Sequence, residues 1–95
     1  MEIQQFNSES KGFFKAVENE VEAGKMFYSW AGEDKLIINH TDVNPEFGGR
    51  GVGKELLMKL VEFVREKNIK VIPLCPFAKS VFGKTPEIQD VLKTS

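Results

Sequence analysis

Three places in the 95-residue sequence bring together residue types that can do chemistry. His40 and Asp42 stand two apart in "KLIINHTDV", a spacing that puts both on one face of an extended strand. Imidazole titrates near neutral pH, so His40 could take a proton from an amine with Asp42 beside it. A lone histidine equally suits a surface or packing role. Cys75 stands between "KVIPL" and Pro76. A residue before proline is biased toward extended backbone, and proline suits the first position of a helix. Cys75 would then cap a helix, where the positive end of the dipole favours the nucleophilic thiolate. The alternative is a buried small hydrophobe. The third place is "FGGRGVGKELL", Phe47 to Leu57, four glycines and two basic residues opening onto an apolar helix. Free N–H groups at such a helix start can receive an anion, with Arg50 and Lys54 adding charge at the rim. Glycines used only for turning are the plainer reading.

The identity of the anion is narrowed by what the loop lacks. Gly48-x4-Gly53-Lys54 approaches a nucleotide P-loop, but Glu55 stands where a magnesium-ligating hydroxyl is needed. "NPEF" also separates the loop from the preceding strand, and "KVIPL" carries no acidic partner for a metal. The dinucleotide fingerprint fails too, because Lys54 occupies the place of its third glycine.

The elements that must position these groups follow from periodicity. Strands are expected over Glu2–Asn7, Gly12–Glu18, Val21–Ala31 and Lys35–Val43, with a turn at Asn19-Glu20 and a bulge at Gly24. Strict alternation along the fourth strand groups Leu36, Ile38, His40 and Asp42 on one face, and Ile37, Asn39, Thr41 and Val43 on the other. Apolar residues from Val52 to Val64 recur at helical spacing, predicting a helix over Val52–Lys67 closed by Asn68. Glu55 and Lys59 fall at i,i+4 on its wet side. Lys70–Leu74 is a short strand without an internal charge, expected to be central. Two short helical pieces follow, parted by Gly83 and Thr85-Pro86. Phe13, Phe14, Phe27, Tyr28 and Trp30 read as core or sheet-face residues. The order gives an α+β fold: a mixed β-sheet containing a right-handed strand–loop–helix–strand unit from Leu36 to Leu74, then a short C-terminal helix.

The totals frame this reading. The length suits a single domain over residues 1–95. Net charge is −1, so no general attraction to nucleic acid or to membrane surfaces is expected. Glu18, Glu20 and Glu22 oppose a base-stacking role for the aromatics. No run reaches the roughly 20 apolar residues that cross a bilayer, and no signal peptide is legible at the start. A single cysteine excludes an internal disulfide and a cysteine-based zinc site, so no metal is expected, and a cytoplasmic setting fits.

"VNPEFGGRGVGKELL" resembles the coenzyme A-binding motif of the GNAT superfamily of acetyl-CoA-dependent N-acetyltransferases. His40-Thr41-Asp42-Val43, Gly51-Val52-Gly53 and Val71-Ile72-Pro73-Leu74-Cys75-Pro76-Phe77 are similar to the pattern of its compact subgroup, from about Phe6 to Leu92. The resemblance implies a compact GNAT-like fold and acetyl-CoA as cosubstrate. It implies coenzyme contacts from Val43, Gly48, Gly49, Arg50, Gly51, Val52, Gly53 and Lys54, and transfer of acetyl to an unidentified amine; the chain is expected to act as a monomer. Cys75 and His40 are its candidate catalytic residues, with Cys75 at the end of the strand that faces the thioester. There a thiolate could accept the acetyl group before passing it on. Glu46 could act through water, or be no more than a loop carboxylate.

Three departures accompany the resemblance. Gly48 stands where Arg or Gln usually opens the motif, and Thr85-Pro86 replaces a common His-Pro. Phe77 and Phe82 cannot do the work of the tyrosine proton donor of larger relatives. The short N-terminal part leaves no room for a helical substrate lid, which keeps open a rival function: a CoA-binding module or adaptor without turnover.

Overall fold

The computed structural model describes residues 1–93. Its elements are β1 (Glu2–Asn7), β2 (Lys11–Glu18), β3 (Val21–Trp30), β4 (Lys35–Val43), α1 (Val52–Lys67), β5 (Lys70–Pro73) and α2 (Pro76–Lys84), with 3-10 turns at Pro45–Phe47 and Pro86–Val91. The five strands form one sheet in sequence order. β1 to β4 are antiparallel, and β5 joins β4 in parallel through the α1 crossover. An α+β fold with a mixed sheet is therefore present. β1 passes to β2 through the turn at Ser8–Ser10, where Ser8 N–H donates to Lys11 O at 2.8 Å, with no helix between.

β5 is an edge strand, not a central one. It lacks an internal charge because Val71 lies in the core and because its outer edge is not bare. Leu92 bridges to Val71, and Lys93 N–H donates to Val71 O at 2.9 Å. Pro73, which has no N–H to donate, is tolerated at such an edge.

α1 buries Val52, Leu56, Leu57, Leu60, Val61 and Val64 against Phe14, Ala16, Met26, Tyr28, Leu36 and Ile38 of the sheet. Ala78, Phe82, Ile88 and Val91 complete the same core. Its one large polar-tipped member is satisfied: Tyr28 donates to Asn7 Oδ1 at 2.9 Å and accepts from Gln5 Nε2 at 3.0 Å. Asn68 closes α1 in the left-handed conformation, φ 57°. Asn19 and Glu20 both take positive φ in the β2–β3 turn. Lys59 pairs with Glu62 at 3.8 Å, one turn onward, and not with Glu55.

Two irregularities shape the sheet. Ala16 pairs with Gly24 but Val17 with Glu22, so Ala23 is the extra residue of a bulge beside Gly24. At Gly24 the helix comes close: a Cβ there would lie 3.0 Å from Val52 Cγ1. The second falls in β4, where Ile38 pairs with Tyr28 but His40 with Phe27, leaving Asn39 unpaired in register. That extra residue reverses the alternation. Leu36 and Ile38 face α1, whereas His40 and Asp42 face away from it, and Thr41 turns inward opposite buried Met26. The expectation that Leu36, Ile38, His40 and Asp42 share one face is corrected accordingly.

Candidate functional site

β4 and β5 stay together only as far as Ile38 and Pro73. There Ile38 O accepts from both Leu74 N–H (3.0 Å) and Cys75 N–H (3.1 Å), and the chain turns away into α2. β4 continues to Val43, so among the described residues its edge beyond Ile38 has no strand beside it. The mouth of this fork holds the N-termini of both helices. Phe77, at the start of α2, lies over Gly53 at the start of α1, and a Cβ on Gly53 would be 2.6 Å from Phe77 Cζ.

The glycine loop prepares the first helix start. Asn44 caps the Pro45–Phe47 turn by accepting from Glu46 N–H at 3.0 Å. Gly49 and Gly51 then take φ of 79° and 73°, conformations that L side chains rarely adopt. Gly51 is the N-cap of α1, and its carbonyl accepts the first helical bond, from Glu55 N–H at 3.0 Å. The N–H groups of Gly51, Val52, Gly53 and Lys54 therefore precede the helical ladder. Gly48, with φ −59°, needs no special backbone.

The two basic residues part company. Arg50 does not stand free at the rim: its guanidinium grips Glu18 through contacts of 2.7 and 2.9 Å and lies 5.1 Å above the Phe47 ring. The hydrogen bonds from Arg50 hold the Glu18 carboxyl below its usual range. Lys54 remains exposed beside the helix start. Glu46 is exposed in the turn before the loop, and Val43 closes β4 at the exposed side of the fork.

Cys75 is the N-cap residue of α2, with extended backbone (φ −68°, ψ 127°), as its place before Pro76 predicts. It is only 4% exposed. Burial pushes the thiol pKa up, but the Thr41 hydroxyl and the N–H groups of Ala78, Phe77 and Thr41 outweigh burial, and the net direction is down. The Cys75 side chain makes no capping hydrogen bond of ordinary geometry to α2. Thr41 Oγ1 lies 3.4 Å from Sγ. Sequence alternation misses Thr41 because the Asn39 bulge, which carries no glycine to announce it, brings it inward.

His40 and Asp42 do meet, Nε2 to Oδ1 at 2.9 Å, on the open face of the sheet and 61% and 69% exposed. His40 stacks at 6.2 Å on Phe27, which continues through Phe13 to Phe6. His40 and Cys75 are thus on opposite sides of β4. Among the described residues no group of three or more His, Cys, Asp or Glu could hold a metal ion. No helix among the described residues is long and apolar enough to cross a membrane.

A family model described as GCN5-related N-acetyl-transferase matches residues 12–91. The chain belongs to that family. A GCN5-like protein of N-acetyltransferase type from Staphylococcus aureus, solved by NMR, is 36% identical, with 97% of this chain and 89% of that one aligned at a TM-score of 0.71. The ribosomal-protein-S18-alanine N-acetyltransferase of Escherichia coli shares the fold at 16% identity, over 82% of this chain and 53% of that one, TM-score 0.70. Aminoglycoside N-acetyltransferase AAC(6')-Iy, solved in complex with CoA, shares it at 17% identity over 87% and 88%, TM-score 0.64. Protein NATD1 of Xenopus tropicalis is 28% identical over 61 residues, 64% of this chain. The chain spans about half the length of the curated relatives it matches, 56% of that protein.

Proposed function

We propose that this chain binds acetyl-CoA and transfers the acetyl group to an amine. The observation that carries the reading is the fork. Two helix N-termini converge where β4 and β5 separate, one able to hold a pyrophosphate and the other ending in a thiol. The N–H groups of Gly51 to Lys54 receive the phosphates, with the Lys54 ammonium beside them. Gly48, Gly49 and Arg50 shape the loop, and Arg50 acts mainly through its tie to Glu18. The pantetheine arm then runs past Val43 into the fork toward Cys75, narrow enough to reach a sulfur that is nearly enclosed.

The amine comes from the open face, where His40 with Asp42 accepts its proton and the aromatic row offers a bed for its apolar body. Its nitrogen reaches the acyl group on the other side of β4 through the gap that β4 and β5 leave beyond Ile38 and Pro73. Cys75 thiolate attacks the thioester carbonyl, forming the Cys75 S–acetyl bond as the bond to CoA sulfur breaks. The amine next attacks this new thioester, the amide forms, and the Cys75 thiolate is regenerated.

Mass spectrometry after incubation with acetyl-CoA tests the scheme. One hydroxylamine-labile acetyl group on Cys75, absent in Cys75→Ala, is the expected result. CoA release with an amine but no label would leave direct transfer from acetyl-CoA, with Cys75 as proton donor to the departing thiolate. Amides of Gly49 to Lys54 that do not move with millimolar CoA would overturn the reading altogether. Binding without turnover for any amine would favour a CoA-binding module.

A further inference from the structure

We propose that Thr41 is a positioning residue for Cys75, its hydroxyl fixing the sulfur in the fork and donating a hydrogen bond to the thiolate. The inference deepens the acetyl-transfer reading and rests on it for its catalytic meaning, but its physical content does not require CoA.

The geometry starts with the β4 bulge. Without the extra residue at Asn39, strict alternation would turn Thr41 to the open face with Ile37, and His40 inward. With it, Thr41 projects into the fork, on the stretch of β4 that β5 no longer accompanies. Its Oγ1 is 3.4 Å from Cys75 Sγ, across a sequence separation of 34 residues. Asn39, the residue that makes the shift, is itself anchored by its amide donating to Ser29 Oγ on β3. The bulge is thus held from the neighbouring strand, and it divides the polar run of β4 between two faces.

A hydroxyl suits this place because it can reverse its role. While Cys75 is a thiol, S–H donates to Thr41 Oγ1. When the proton leaves, rotation about the Thr41 C–O bond turns the hydroxyl hydrogen toward sulfur. No heavy atom has to move. The other polar groups bearing on the sulfur are the main-chain N–H groups of Ala78, Phe77 and Thr41, all neutral and all fixed by the fold. Thr41 is therefore the side chain through which this thiol can be tuned. A hydrogen bond donated to a charged acceptor is strong enough to change a protonation equilibrium about tenfold.

The test is a titration of the Cys75 ¹³Cβ shift with pH in the full chain without CoA, for wild type, Thr41→Val and Thr41→Ser. Valine matches the shape of threonine but has no hydroxyl, so the thiolate fraction near neutral pH should fall by about tenfold. Serine restores the hydroxyl and should recover most of it. Thermal melts of the variants report whether the fold is intact, and a purely structural role would move the melt and leave the titration in place. Identical titrations for wild type and Thr41→Val, with both proteins folded, would overturn the proposal. If Thr41→Val fails to fold, Thr41→Ala in the same titration takes its place, with the same two outcomes.

Amide shifts with added CoA keep the two claims apart. If the titration responds to Thr41 but CoA moves no amide in any variant, the positioning role stands and the acetyl-transfer reading falls. If both hold, Thr41→Val should lower the rate of Cys75 acetylation about tenfold at neutral pH, with serine rescuing it and CoA affinity unchanged.

Discussion

Replacing Gly53 by alanine tests whether the start of α1 is glycine for the ligand or for the fold. The new Cβ would meet Phe77 Cζ at 2.6 Å and Cε2 at 2.9 Å, closer than real contacts allow. Those atoms are the tip of a side chain that is 38% exposed, so the ring can swing outward and the backbone can stay. Displacing the covered part of this phenylalanine ring forfeits roughly 1–2 kcal/mol of apolar burial. Alanine in place of a helical glycine returns up to about 1 kcal/mol, less so near the N-terminus. The net effect in the wild type is a loss of up to about 2 kcal/mol. In a Phe77→Ala background nothing is left to clash, so Gly53→Ala should be neutral or stabilising. Urea denaturation of the four proteins gives the coupling, expected at about 1–2 kcal/mol. An equal cost of Gly53→Ala in both backgrounds would refute the ring contact as its cause. The same geometry means that Gly53→Asp disturbs packing as well as any phosphate. Gly51, though its Cβ would meet nothing within 4 Å, is held at φ 73° where an L side chain is strained, so neither substitution by itself isolates phosphate binding.

Tyr28→Phe should cost about 1–2 kcal/mol in chemical denaturation, because it removes the partner of Gln5 and Asn7 in a partly enclosed network. Asp90 is held below the usual carboxylate range, first by its hydrogen bond from Arg65. Its folded pKa is thus below the unfolded one, so its contribution is complete above the ordinary range and fades as pH falls through the folded value. Melts of wild type and Asp90→Asn should therefore converge in acid and differ at neutral pH, by little at high salt since the pair is exposed. His40→Ala should lower amine-dependent CoA release by about 10²-fold or more while leaving CoA-induced amide shifts unchanged, and equal rates would remove His40 from the chemistry. Lys54→Ala should weaken CoA in calorimetry more than Arg50→Ala does, because the Arg50 charge is already spent on Glu18.

Much of this protein is determined locally and can be read from the sequence. α1 runs from Val52 to Lys67 because its apolar spacing fits one helical stripe and Asn68 can take positive φ. Cys75 is a helix cap because Pro76 restricts it on one side and starts a helix on the other. The glycine loop is a helix entrance because Gly49 and Gly51 permit a backbone path closed to other residues. What tertiary structure decided are matters of register and partnership. The β4 bulge has no composition signal, since Asn39 is left out of the pairing register and held only by its side chain on Ser29, yet it sends His40 to one face and Thr41 to the other. The edge position of β5 follows from which segment returns to cover it, and "KVIPL" reads the same at an edge or a centre. Arg50 finds Glu18 across 32 residues, and Gly53 is needed by Phe77, because packing brings together side chains whose separation in sequence leaves no periodic trace.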